Sequence, residues 1–256
     1  MRSLAIATVL SFALCSCAIV PETGRRQLTL FSDAEMNALG AQSYTEITKE
    51  HRVITSGRDY EMLQRVGTKI AKASGRDYQW EFKLLDAPKV ANAFCLPGGK
   101  IAVYTGILPI TQNEDGMAVI IGHEVAHATS NHGNERMSQQ AAAQTLLGGA
   151  AMGLQLSEAS PATQELILGG LGAGASIGVL LPFSREHETE ADEIGLIFAI
   201  RAGYDPEEAP RLWERMAKLS GGSGPEFLST HPDPGRRAER LRAMIPELRQ
   251  RAAEVK

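Results

Sequence analysis

Two histidines four residues apart, with a glutamate directly after the first, constrain this chain more than any other feature: His123-Glu124-Val125-Ala126-His127. Four residues make about one helical turn, so a helix here points both imidazoles the same way, where they can grip one ion. The motif lies in an apolar-periodic stretch, and that spacing predicts a helix from about Glu114 to Ser130. Glu124 sits beside His123 around that helix. It can reach a water that zinc has acidified to a pKa of about 7, and take its proton as the oxygen attacks a carbonyl. The plainer reading is a helix with two surface histidines and an accidental glutamate.

A catalytic zinc usually has three protein ligands, so a third is required. Candidates are His51, His132, His187, His231 and several carboxylates. His132 falls nine residues after His123, half a helical turn out of phase, and reads as a solvated histidine near the negative end of the helix. Glu186, Glu188, Glu190, Asp192 and Glu193 form an acidic run that reads equally well as a solvated face. Composition alone leaves the third ligand open.

Here a family likeness enters. Ser184-Arg185-Glu186-His187-Glu188-Thr189-Glu190-Ala191-Asp192 resembles the SRxxExxAD pattern of HExxH metallopeptidases of the HtpX and CAAX-prenyl-protease type. The resemblance implies that Glu188 joins His123 and His127 on one Zn2+ per chain, with Glu124 as general base. It also implies that Asp192, one turn beyond Glu188, supports a ligating imidazole from behind. The likeness runs from about Pro21 to Leu241. Thr23-Gly24-Arg25-Arg26-Gln27-Leu28, Asn92-Ala93-Phe94 and Pro97-Gly98-Gly99 resemble the periplasmic lipoprotein branch, of the BepA and LoiP kind. His231-Pro232 matches a His-Pro that approaches the zinc in that branch and gates the site. There His231 either blocks the metal's open position or assists catalysis; a plain loop histidine before a helix is the alternative.

The remaining pattern is mostly helical. Ser32-Asp33-Ala34-Glu35 has capping-box form and opens a helix to about Glu50, and a second fits Asp59 to Ala73. Trp80, Phe82 and Leu84 mark a strand, and Lys100 to Tyr104 returns after the Pro97-Gly98-Gly99 turn. Further helices fit Ser184 to Ala202, Asp205-Pro206 to Leu219, and a last segment from Asp233-Pro234 that Pro246 should interrupt. The expected fold is α+β, mainly α-helical, zincin-like, with a small sheet whose edge strand at Asn92, Ala93 and Phe94 borders the zinc helix. In zinc peptidases of this shape an extended substrate adds to that edge through its backbone. A hairpin that merely completes the core is the alternative, and Cys95 reads as a small apolar filler.

The N-terminus is an address. Arg2, an apolar run from Leu4 to Leu14 and small residues before Cys17 describe a secretory signal over residues 1–16, too short to span a bilayer. Leu14-Cys15-Ser16-Cys17 resembles the bacterial lipobox, which implies lipidation of Cys17, a tether over 17–31 and one domain over 32–256. Ala18 after the lipidated Cys favours the outer membrane by analogy with lipoprotein sorting. Leu166 to Ser184 has no charge, long enough for a span, but its five glycines favour a buried or lid helix. A net charge of −4 gives no basic stripe for nucleic acid.

The function expected is therefore cleavage of misfolded or unfolded envelope proteins, from a lipid anchor at the periplasmic face of the outer membrane. The chain ends near residue 256 without a helical-repeat tail, which puts a dedicated role with the outer-membrane assembly machinery in doubt. The rival is a lipid-anchored chaperone or scaffold that holds extended chains in the same cleft without cutting.

Overall fold

The computed structural model describes residues 17–156, 183–219, 225–231 and 234–254. The expected signal peptide lies outside them, as does the Leu166–Ser184 run except for Phe183 and Ser184. No helix of the described residues is long and apolar enough to cross a membrane.

The chain divides into two compact units, one of residues 1–32 and 133–181, the other of 33–132 and 182–256. In the first, β1 (Cys17–Ile19) pairs antiparallel with β2 (Arg26–Leu28), Ala18 opposite Gln27. Gly24, at φ +74°, closes the turn by donating its N–H to the Val20 carbonyl at 2.8 Å. The segment expected as a tether is thus folded. Arg25 grips Glu135 with both guanidinium nitrogens at 3.0 and 2.7 Å, and Ser138 Oγ accepts the Leu30 N–H at 2.8 Å.

The second unit opens with α1 (Asp33–Lys49), β3 (Val53–Ile54) and α2 (Arg58–Ala73). β4 (Glu81–Leu85), β5 (Ala93–Leu96) and β6 (Lys100–Tyr104) complete a four-stranded sheet in the order β3-β4-β6-β5. β4 and β6 run parallel, the other pairs antiparallel, and β5 lies at an edge with Phe94 opposite Ala102. Tyr44, Leu85, Leu96, Ala102 and Tyr104 pack between α1 and the sheet, and the buried Tyr44 hydroxyl donates to the Ile101 carbonyl at 2.7 Å.

After a 3-10 turn (Thr105–Ile107) and the short α3 (Leu108–Thr111), Asn113 caps α4 (Glu114–Thr129) by accepting the Gly116 N–H at 2.8 Å. Every residue of α4 from Gly116 to Thr129 is buried, so the helix is a central post rather than a one-sided surface element. It packs against α2, β5 and α6 (Arg185–Arg201), and α6 is capped by Ser184 Oγ on the His187 N–H at 3.1 Å. In the sequence α4 is followed by α5 (His132–Leu156), which lies in the first unit from Gly133 onward.

Two helix boundaries differ from expectation. α7 (Glu208–Lys218) starts after Pro206, because Asp205 Oδ1 caps the Glu207 N–H at 3.1 Å in a turn that precedes the helix. The last helix, α9 (Pro234–Glu254), follows the one-turn α8 (Phe227–Thr230) and runs through Pro246 without a break. A proline inside a helix costs about 3 kcal/mol. Burial of Ala238, Leu241, Ile245, Leu248 and Ala252 along one face of α9 outweighs that cost.

Candidate metal centre

His123 and His127 occupy successive turns of α4, and Glu188 stands in the first turn of α6. His231 follows α8, where its N–H closes on the Phe227 carbonyl at 2.9 Å. All four side chains are buried, and one ligand atom from each falls within 4.8 Å of the others. His123 Nε2 is 3.0 Å from His127 Nε2 and 3.1 Å from His231 Nδ1, while Glu188 Oε1 is 2.8 Å from His231 Nδ1 and 3.4 Å from His127 Nε2.

Imidazole nitrogens and a carboxylate turned toward one point in a dry interior are a donor set that a bound cation would satisfy. A set of three nitrogens and one oxygen is what zinc takes. The residues present therefore fit the metal.

Glu124 is held at the rim of this cluster. The backbone N–H of Cys95 on β5 donates to its Oε2 at 3.2 Å. Its Oε1 is buried with no hydrogen-bond partner among the described residues, 3.3 Å from His231 Nε2. Burial raises the Glu124 carboxyl above its ordinary value, against the pull of His231 and His123.

The other groups divide by their neighbours. Burial works hardest against a charged His123, and Arg237 adds to it, but Glu188 and Asp192 outweigh both and hold that imidazole up at about 9. Burial pushes His127 well below its ordinary value. Glu188 is driven far down despite burial, by the charges of His231 and His123.

A model of peptidase family M48 matches residues 58–245. The chain belongs to that family. M48 is a family of zinc metallopeptidases, and the HExxH helix and the α6 glutamate both fall within the match. The chain is 35% identical over 237 residues to the mitochondrial metalloendopeptidase OMA1 of Schizosaccharomyces pombe, covering 89% of this chain and 66% of that protein. It is 34% identical over 216 residues to the mitochondrial metalloendopeptidase OMA1 of Arabidopsis thaliana, 82% of this chain and 41% of that protein. It is also 30% identical over 186 residues to the beta-barrel assembly-enhancing protease of Escherichia coli, 69% of this chain and 38% of that protein. The chain thus spans less than two thirds of the length of these curated relatives.

Within this M48 domain the residues singled out from the sequence gather at one place. His123, His127, Glu188 and His231 converge; Asp192 Oδ1 stands 3.2 Å from His123 Nδ1, behind the cluster. Ala93 and Phe94 belong to the edge strand β5, which packs on α4, and Asn92 precedes it. Of the other histidines, His51 meets the edge of the Tyr104 ring at 5.2 Å, and His187 stacks on His132 at 4.5 Å. Cys95, expected as filler, contributes through its backbone; burial, then the charge of Glu124, raises its thiol.

His132 is the clearest departure. Expected as solvated, it is fully buried, with Nδ1 2.9 Å from His127 Nδ1. Counting helical phase from His123 fails because α4 ends at Thr129 and Asn131 adopts φ +55°, which redirects the chain before α5 begins. The acidic run is likewise not a solvated face: Glu188, Glu190 and Asp192 are all buried.

Arg237 was not visible as a site residue. It is 2% exposed, donates from NH1 to Glu188 Oε2 at 2.7 Å and from Nε to Asp192 Oδ2 at 2.9 Å, and lies 3.5 Å above the Trp213 ring. The usable signal was an arginine in register with the apolar stripe Leu241, Ile245 and Leu248, since a buried arginine demands acidic partners. Aromatic rings complete the enclosure: Phe183 stacks on His127 at 3.9 Å and Phe227 on His231 at 4.3 Å.

Proposed function

We propose that this chain is a zinc-dependent endopeptidase that cuts unfolded or misfolded envelope proteins. The observation that carries the reading is Glu124, fixed by a backbone N–H of an edge strand and directed at a buried cluster of three imidazoles and a carboxylate. His123, His127 and Glu188 would hold the metal. Zinc there supplies a Lewis acid that polarises a scissile carbonyl and acidifies water.

The chain's own residues do the rest. The Cys95 N–H orients one oxygen of Glu124 and leaves Oε1 to accept the proton. Burial raises that carboxyl, which makes it a stronger base and lets it pass the proton on to a leaving amine. β5 is an edge strand of the sheet among the described residues, beside Glu124, and an extended chain is what can add to such an edge. His231, at the position of a further ligand, restrains the site until it moves.

The envelope setting rests on the lipobox-like Cys17 and signal-like residues 1–16, and is supported by the likeness to a beta-barrel assembly-enhancing protease. On this reading residues 1–16 are removed and Cys17 carries lipid at the periplasmic face of the outer membrane, within reach of the assembly machinery there. Cys17→Ala should release the protein from membranes; persistence through a carbonate wash would sink the anchor.

The activity has a direct test. The soluble form from Ala18 onward should bind one zinc and cleave casein, whereas Glu124→Gln should bind zinc and not cleave. Zinc binding without cleavage, even after His231→Ala, would replace the peptidase by a scaffold that merely holds chains.

A further inference from the structure

His132 and Glu190 lie behind the metal centre, joined in a line to His127. Glu190 Oε2 is 2.9 Å from His132 Nε2, and His132 Nδ1 is 2.9 Å from His127 Nδ1. A carboxylate only accepts, so the proton on His132 sits on Nε2, and its Nδ1 carries a lone pair. Two ring nitrogens 2.9 Å apart need one proton between them, and that proton must then belong to His127 Nδ1. What remains on His127 is the Nε2 lone pair, which faces His123, Glu188 and His231.

We propose that Glu190 and His132 form a two-link relay that locks His127 in its Nδ1–H tautomer and holds its Nε2 toward the metal. They are positioning residues, acting through His127, and the proposal rests on the zinc reading above. His123 has a carboxylate at its own Nδ1, Asp192 Oδ1 at 3.2 Å, though there the Arg237 guanidinium shares the contact, its NH2 also 3.2 Å from that nitrogen. The site therefore orients its two α4 imidazoles with two different carboxylates of α6, which are two residues apart.

The surroundings make the relay rigid. His132 and Glu190 are 0% and 5% exposed, so water does not compete for these bonds. His187 stacks on His132 with planes 17° apart, and Phe183 covers His127 with planes 25° apart, which fixes both rings against rotation. The left-handed Asn131 delivers His132 to this position, five residues after its partner.

Paired variants at each link separate the relay from packing. His132→Asn keeps an acceptor near the ring Nδ1 but loses volume; His132→Phe keeps volume but no acceptor. Zinc affinity, read by competition with a chromogenic chelator, should fall about 10- to 100-fold in His132→Phe and much less in His132→Asn. Packing alone predicts the opposite order. Should His132→Phe fail to fold, Glu190→Met and Glu190→Gln repeat the comparison without changing size, with Met the weaker binder.

Histidine 15N spectra supply a readout independent of affinity. In zinc-free and zinc-loaded wild type, the His127 proton should sit on Nδ1 and the His132 proton on Nε2. A His127 proton on Nε2 in the zinc-free protein, or Phe and Met variants that bind zinc like wild type, would overturn the relay. Wild type that binds no zinc, with these tautomers still in place, would instead overturn the zinc reading.

Discussion

Gly122 on α4 faces Gly195 on α6 so closely that a Cβ on Gly122 would stand 2.6 Å from the Gly195 carbonyl oxygen. The reverse holds as well: a Cβ on Gly195 would meet the Gly122 carbonyl carbon at 2.7 Å. The next residue along α4 is His123, and Asp192 and Glu188 lie one and two turns before Gly195. Backbone contact between these glycines thus fixes how near the Glu188 carboxylate comes to the imidazoles.

Gly195→Ala should therefore separate the two helices. Overpacking of this kind costs about 1–3 kcal/mol, and sites of this type tolerate displacements of only about 0.5 Å. The expected result is a lowered Tm and zinc affinity reduced by about tenfold or more, since the Glu188 carboxylate, proposed above as a ligand, moves with α6. Gly133→Ala is the control: its Cβ would meet nothing within 4 Å, and the added helix propensity should leave stability equal or higher by about 0.5–1 kcal/mol. Equal effects from both substitutions would refute the backbone-contact argument.

Arg237 ties two buried carboxylates of α6, Glu188 and Asp192, to α9. Arg237→Met removes the arginine that bridges them and leaves Glu188 to His231 and Asp192 to Arg240, so stability should fall, by less than the about 3–5 kcal/mol of a fully unpaired buried charge. Urea unfolding of the zinc-free protein should show that loss. Arg237→Lys should recover little, because one ammonium cannot bridge both carboxylates and also stack on Trp213. A lysine variant as stable as wild type would show that charge alone suffices.

Much of this site could be read along the chain, and the parts that could not share a cause. His123, Glu124 and His127 were legible because a helix converts fixed spacing into a shared face, and Lys100–Tyr104 because strand and turn signals coincide. Residues outside one helical register were not. His132 leaves the α4 register because the left-handed Asn131 precedes it, and Pro246 stays helical because burial of the α9 stripe overrides a local rule. The contribution of Cys95 is a backbone N–H, which every residue but proline has, so no side-chain pattern marks it. Arg237 is paired 45 and 49 residues away, a distance that periodicity does not reach.

The Cys95 contact can be tested by removing only the donor. Cys95→Pro deletes the N–H that orients Glu124, at an edge strand where proline is tolerated. Cleavage should fall by about 10- to 100-fold, the scale for a misoriented general base, with zinc content unchanged. Cys95→Ser keeps the N–H and should stay near wild type. Loss of activity in the serine variant would mean that the thiol, not the backbone, carries the role.

Acid sensitivity should trace to Asp192. Burial disfavours its ionised form, but Arg237 and His123 more than compensate and hold the carboxyl down from 3.8 to about 2. A carboxyl depressed on folding stabilises the native state above its unfolded pKa, and the benefit is lost as pH falls toward the folded value. At 1.36 kcal/mol per unit, the shift is worth about 2.5 kcal/mol at neutral pH. The stability gap between wild type and Asp192→Asn, measured by urea unfolding of zinc-free protein, should be constant above about pH 5 and shrink by about that amount toward pH 2. A gap that stays constant over the whole range would show that the arginine pair does not hold Asp192 ionised.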